Sequence, residues 1–372
     1  MNEKLKKLEG LLKKMNSKKD APKIQFASEI QDKFKFYSTP WPVLNRLIKG
    51  FPIGRFTIIA GVSQSGKTAM ILQQIAHLQK EDPDFIALWI DFETAWDGDW
   101  AKNLGVDLDR LVLFQYSEEL PNMERMFDKA VELIRTQCIN MMVIDSIGAM
   151  TPRADIEDKS GDRSLEKSNM LNLQTKLGEI FRKLNIVVAP DTKSGFAGVA
   201  VLMVGHVYQE PNQQGFTIHH VRGGNAVKHW AHIRLAMVRG PRGDWPERIK
   251  LRGLDDKERL VYPGFSGRIQ LEKTRVNANE GQEVAIKFFH GRGFDYAQST
   301  VSAALRLEIV ERKGGWFYSD LFPDKKIQGR DNVESFFENN PEQYQELAML
   351  VDTNAAVFTS SQAENENESE HN

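Results

Sequence analysis

The stretch RFTIIAGVSQSGKT, residues 55–68, constrains the fold of this 372-residue chain more than any other. RFTIIA (55–60) is a short β-rich run that leads into glycine, and TAMILQQIAHLQ (68–79) has helical spacing. Between them GVSQSGKT (61–68) fits G-x-x-x-x-G-K-[ST] without mismatch, in the strand–loop–helix context that gives the pattern its meaning. Backbone N–H groups of Ser63, Gln64, Ser65, Gly66, Lys67 and Thr68 can wrap a chain of phosphates, and the positive end of the helix adds its dipole. Lys67 offers a cation to the β- and γ-phosphates, and Thr68 offers a hydroxyl to Mg²⁺. The segment predicts binding of a nucleoside triphosphate.

Strand and helix go on alternating. FIALWID (85–91), MMVID (141–145) and VAVLMVG (199–205) read as buried strands. Residues 123–138 and the span Met170–Leu184 carry apolar residues at helical steps. The alternation predicts an α/β fold with a mostly parallel central sheet flanked by helices. HIRLAMVRG, RIQLEKTRV and EVAIKFFHG look like later strands, while IVVAPDTKSGFAG (186–198) reads equally as strand with turn or helix end with loop. From Phe294 the pattern changes to a small α+β unit ending near Val351.

The expected division is an N-terminal helix and linker (1–35), a core (36–293), a small C-terminal domain (294–351) and a tail (352–372). In the first segment Leu5, Leu8, Leu12 and Met15 form a narrow apolar stripe on a lysine-rich helix. So short a helix cannot bury its stripe alone, so it either folds onto its own core or serves as an arm docking on a neighbouring subunit. The last residues, SQAENENESEHN, are acidic and almost without apolar side chains, and are expected to be disordered.

A phosphate loop needs an acidic partner for its metal. Asp145 ends the MMVID strand, 78 residues beyond Lys67, and suits that task; the plainer reading is a cap on the next turn. IDFETAWDGDW (90–100) sets four carboxylates and two indoles just past another strand. Glu93 can orient or deprotonate a water that attacks the γ-phosphate, given a place close to the phosphate-loop strand. Asp97 and Trp100 lie one helical turn apart, so an indole can stack on a purine while a carboxylate accepts from its exocyclic amine. Asp91, Trp96 and Asp99 carry no functional expectation.

Bulk properties set the surroundings. A net charge of −2 does not announce nucleic acid, so any DNA site must be a local surface. The single cysteine, Cys138, excludes an intramolecular disulfide and suits a reducing cytoplasm. No apolar run reaches membrane-spanning length and no signal-peptide pattern opens the chain, so a cytoplasmic protein without a membrane partner is expected.

Taken in order, the motifs resemble those of the RecA-type recombinases, closest in character to the phage UvsX-like branch, over residues 38–350. GFPIGRFTIIAGVSQSGKT, IDFETAWDGDWAKNLGVDLDRL, VIDSIGAMTPRADIE, GGNAVKHWAHIRL, EKTRVNANEG and GGWFY with IQGRDNVESFFENNPE carry the likeness. It implies a P-loop RecA-like core, ATP and Mg²⁺ as cofactors, helical homo-oligomers on single-stranded DNA and strand exchange with double-stranded DNA. It admits a mediator or a single-strand-binding protein as partner, and the host cytoplasm as location if the chain is phage-encoded.

Residue by residue, the resemblance makes Glu93 the catalytic glutamate and Asp97 and Trp100 the adenine contacts. His206, in VGHVY, matches the γ-phosphate sensor, where cellular members often carry glutamine. Lys273 and Arg275 match a basic pair set against the neighbouring subunit's ATP, with Lys228 as a possible third member. His290 falls where an aromatic near the nucleotide is common. Gly205 departs from the usual asparagine and Met170 from the usual arginine.

Two segments would carry DNA. In IEDKSGDRSLEK (156–167), Arg163 and Lys167 reach phosphates and Leu165 wedges between bases. In YQEPNQQGFTIHHVRGGN (208–225), read as a polar loop, Phe216 inserts while Gly223, Gly224 and Asn225 let backbone approach phosphate. Residues 241–267 have no assigned role. A hexameric helicase of the replicative class and an ATP-dependent DNA-binding adaptor are the competing readings. The GGWFY…NNPE unit and the short N-terminal arm speak against the helicase.

Overall fold

The computed structural model describes residues 3–17, 26, 35–153, 170–191, 194–211, 217–221, 224–240, 249–252, 258–261, 263–340, 342–351 and 353. Residues Met1–Lys35 form a unit by themselves, built on helix α1 (Glu3–Asn16). Its Leu5, Leu8, Leu11 and Met15 side chains are exposed. Everything from Phe36 onward belongs to the second unit.

That unit opens with β1 (Phe36–Tyr37), α2 (Pro42–Ile48) and β2 (Phe51–Pro52), the two strands pairing with each other. The expected alternation follows as β3 (Phe56–Gly61), α3 (Lys67–Glu81), β4 (Ala87–Asp91), α4 (Gly98–Asn103), β5 (Leu111–Gln115), α5 (Met123–Arg135), β6 (Met141–Asp145), α6 (Met170–Val187) and β7 (Ala200–Pro211). Then come β8 (Thr217–Val221), α7 (Gly224–Trp230), β9 (Ile233–Arg239), β10 (Ile249–Arg252), β11 (Glu258–Val261), β12 (Gly264–Thr274), β13 (Glu283–Phe289) and β14 (Gly293–Phe294).

The strands assemble into one large sheet in the order β14-β13-β12-β9-β3-β7-β6-β4-β5. From β5 to β9 all pairings are parallel; β12, β13 and β14 continue antiparallel. Each central strand is apolar on both faces, because each face has its own core. Trp89, Ile59, Leu235 and Leu271 pack with α2 and α3 on one side. Ile58, Ile144, Met203 and Phe56 pack with α5 and α6 on the other.

One expectation needs correction, one strand was not expected, and one open choice is settled. β4 does not neighbour the phosphate-loop strand: β6 and β7 lie between them. LVLFQ forms an edge strand that periodicity did not single out, since its residues are only half-buried. The ambiguous 186–198 stretch is a helix end followed by a turn closed by an Asp191–Phe196 bridge, with β7 starting at Ala200.

After β14, α8 (Ala297–Arg306), a three-stranded sheet of β15 (Glu311–Lys313), β16 (Trp316–Tyr318) and β17 (Lys326–Gln328), α9 (Arg330–Asn339) and a helix over 342–351 surround a third core. Val301, Phe317, Phe322, Phe337 and Leu347 are its centre. The acidic tail beyond Thr353 lies outside the described residues.

Candidate functional site

The C-terminal ends of β3, β4 and β6 and the middle of β7 open into one cavity of about 600 Å³, the crevice position that open α/β sheets use for ligands. Gly61 ends β3, and the chain turns through Ser63–Gly66 into α3. Gly66, at φ +88°, precedes the helix; a Cβ there would stand 2.6 Å from the Phe294 ring, so neither backbone nor space admits another residue. No side chain caps α3, so the orphan N–H groups of its first turn remain available to phosphate oxygens.

Lys67 is buried and its ammonium is turned onto its own loop, 3.1 Å from the Gly61 carbonyl and 2.9 Å from that of Val62. Burial lowers its pKa, opposed by the charges of Asp145 and Glu93. Thr68 Oγ1 donates to Asp145 Oδ2 at 3.2 Å. Asp145 is crowded: burial and the negative charge of Glu93, joined by that of Asp91, push its carboxyl up to about 7 against the pull of Thr68 and Lys67. A divalent cation beside Thr68 and Asp145 would relieve that crowding. No cluster of three His, Cys, Asp or Glu side chains is placed to hold a metal among the described residues. The Thr68 hydroxyl and the Asp145 carboxylate are hard oxygen donors, which fit an ion that completes its shell with phosphate and water, as Mg²⁺ does.

Glu93 reaches this cavity despite its distant strand. Its Oε1 accepts from Ser146 Oγ and lies 2.8 Å from His206 Nε2. Burial raises its pKa, but the bonds from Ser146 and His206 and the charge of Lys67 outweigh that, holding the carboxyl below its ordinary range. His206 lies opposite Gly61 in the β3–β7 ladder, which sets it beside the phosphate loop.

Trp100 lines the cavity. Asp97 is not among the lining residues; it is the N-cap of α4, its Oδ1 accepting the Trp100 N–H at 2.9 Å. Trp96 packs on the core residue Trp89, ring centroids 5.3 Å apart. The opposite wall is Arg239, Phe265, Phe288 and His290. The Arg239 guanidinium sits 4.5 Å above the Phe265 ring, which stacks on Phe288 at 4.8 Å. Arg239, Phe265, Phe288 and Ser146 escaped the sequence reading. Ser146 directly follows Asp145 and so had a local signal. The two phenylalanines had none, since they meet only through the β12–β13 register.

Lys273 and Arg275 do not line the cavity. Lys273 Nζ donates to the Lys228 carbonyl at 2.6 Å and Arg275 to that of His229 at 3.1 Å, both at the C-terminal end of α7. In the sheet Thr274 lies opposite Ile233, and Ile233 opposite Thr57, at the start of β3. The basic pair is therefore at the far end of the sheet from Gly61, about 13 Å away along the strands.

Of the expected DNA-contacting residues, Arg163, Leu165, Lys167, Phe216 and Gly223 lie outside the described residues, and Gly224 and Asn225 begin α7. The segment read as a loop is a hairpin over its described part: β7 runs on past His206 to Pro211 and pairs antiparallel with β8. No helix among the described residues is long and apolar enough to cross a membrane.

Comparison with known proteins agrees with this arrangement. Residues 41–252 match the RecA N-terminal domain family and residues 299–356 the RecA C-terminal domain family. Protein RecA of Rhizobium rhizogenes is 29% identical over 314 residues, spanning 84% of this chain and 77% of that protein. Protein RecA of Parvibaculum lavamentivorans is 29% identical over the same length, spanning 76% of that protein. With a phosphate loop, a caged carboxylate and a two-part family match across most of its length, the chain belongs to the RecA family.

Proposed function

We propose that the chain is an ATP- and DNA-dependent recombinase, which assembles as a helical filament on single-stranded DNA and pairs it with homologous duplex. The observation that carries this reading is Glu93: a carboxylate held at the phosphate loop by His206, on a strand that continues into the hairpin expected to meet DNA. Lys67 and the N–H groups of residues 63–68 bind the phosphates. Glu93 orients the attacking water and takes its proton, while His206 feels the γ-phosphate and passes its presence along β7. Trp100 and the Phe265–Phe288–His290 wall take the nucleoside, with Asp97 fixing the turn that presents Trp100. Mg²⁺, bound at Thr68 and through Asp145, supplies charge neutralisation at the β- and γ-phosphates.

Lys273 and Arg275 sit too far along the sheet to serve their own chain's cavity. In the filament they stabilise transition-state charge at the next copy's ATP. Arg163, Lys167, Leu165, Phe216 and the 223–225 backbone hold the single strand. The finer placement in the UvsX-like branch of phage recombinases rests on GHVYQ, with histidine at the sensor position.

ATP turnover with and without single-stranded DNA, read beside electron microscopy of the same mixture, tests the proposal. Stimulated turnover and open helical filaments are expected; closed rings would favour the helicase reading. In Glu93→Gln, turnover should fall about 10²–10⁴-fold while ATP and DNA binding persist. Undiminished turnover in that variant would remove Glu93 from the chemistry.

A further inference from the structure

The Glu93 carboxylate is placed by a turn, and the turn is held by groups that bind neither nucleotide nor metal. Gln115, Asp91 and Asp145 end three adjacent parallel strands and stand opposite one another in register. Asp91 is only 2% exposed, yet it is fully engaged. Its Oδ1 accepts the Glu93 N–H at 3.0 Å; its Oδ2 accepts the Trp96 N–H at 3.0 Å and the Gln115 amide at 2.9 Å. The turn it closes contains Thr94 at φ +53°, a conformation that a threonine adopts only when its surroundings impose it.

We propose that Asp91 and Gln115 are positioning residues for ATP hydrolysis: the edge-strand amide fixes the Asp91 carboxylate, which fixes the 91–96 turn and so the reach of Glu93 to Ser146 and His206. The inference rests on the reading of Glu93 as the group that activates water. Gln115 is the adjustable part, because among the described residues β5 is the last strand of the sheet and pairs only with β4. Asp91 is the rigid part. A buried carboxylate that loses one of three donors is free to rotate toward the next best arrangement, and it carries both backbone N–H groups of the turn with it. Displacing a catalytic group by a fraction of an ångström costs rate rather than binding, since the phosphate loop is untouched.

The test is steady-state ATP turnover in the full-length protein with saturating single-stranded DNA. Gln115→Leu removes the donor at similar volume, Gln115→Glu turns a carboxylate against Asp91, and Gln115→Lys restores a donor. Gln115→Leu is expected to lower kcat about tenfold with KM for ATP within about twofold, Gln115→Glu to lower it further, and Gln115→Lys to recover most of the loss. In a Glu93→Gln background, followed by single-turnover hydrolysis, Gln115→Leu should add no further loss, because its effect runs through Glu93. Melting temperatures separate an unfolded variant from a slow one, and Gln115→Ala serves if leucine does not fold. Unchanged kcat in Gln115→Leu, a rise in KM that matches the fall in kcat, or an equal loss in the Glu93→Gln background would each overturn the proposal. If Glu93→Gln itself keeps full turnover, the underlying reading of Glu93 fails instead, and the two failures are distinguishable.

Discussion

Gln73 offers a sharp test of how the sheet is finished. β14 is the outermost strand, and Phe294 is buried there, so its outward peptide groups need partners that are neither strand nor water. The Gln73 side chain of α3, 2% exposed, supplies both: Oε1 accepts the Phe294 N–H at 2.8 Å and Nε2 donates to the Phe294 carbonyl at 3.1 Å. A helix amide thus stands in for a further strand. Gln73→Leu keeps the volume and removes both bonds. Each orphaned buried group costs about 1–3 kcal/mol, so a total of about 2–6 kcal/mol is expected. Urea unfolding followed by circular dichroism measures it. The Phe294 ring also bears on Gly66, so nucleotide affinity should fall in the same variant. A loss under about 0.5 kcal/mol with an unchanged denaturant slope would refute the reasoning, because it would mean those peptide groups find other partners.

Two more expectations follow from local geometry. Gly66→Ala imposes a left-handed conformation worth about 1–2 kcal/mol on a residue with a Cβ and drives that atom against Phe294; a fluorescent ADP analogue should bind about tenfold more weakly or worse, and unaltered affinity would show that the loop relaxes freely. Burial, with Arg55 and Arg275 beside it, pushes the His232 imidazole down from 6.5 to about 4. The folded protein keeps that ring neutral while the unfolded chain takes up a proton, so this contribution is intact above the ordinary histidine range and is lost as acidity increases toward pH 4. His232→Gln removes it: the difference in urea midpoint between about pH 7.5 and about pH 5 should shrink, and an equal difference in both proteins would assign the acid sensitivity elsewhere.

What could be read from sequence is what lies contiguous in the chain. The phosphate loop, the MMVID strand with its terminal Asp145, and Glu93 just past a strand each carry their signal within a dozen residues, and each reaches the same cavity. The cavity's far wall was illegible because Arg239, Phe265 and Phe288 come from strands that meet only after antiparallel pairing. Asp91 had no assigned task for a related reason. Nothing in IDFETAWDGDW says that Asp91 faces back into the turn, where one of its three donors, Gln115, comes from a neighbouring strand. Asp97, which the same stretch offered to the base, also had a local task that the sequence reading did not name: one of its oxygens caps the helix it begins.

The separation between the cavity and the Lys273–Arg275 pair has a consequence for counting. On the proposed reading each copy owns an incomplete site at one end of its sheet and the missing cations at the other. Such a molecule joins head to tail and never face to face. An open row of copies then always has one fewer finished site than it has members. Half of a dimer idles, while in a long row the idle member hardly matters. Turnover per molecule should therefore climb with row length and level off. A capping variant that still offers its cavity but lacks the cations would silence its neighbour rather than itself.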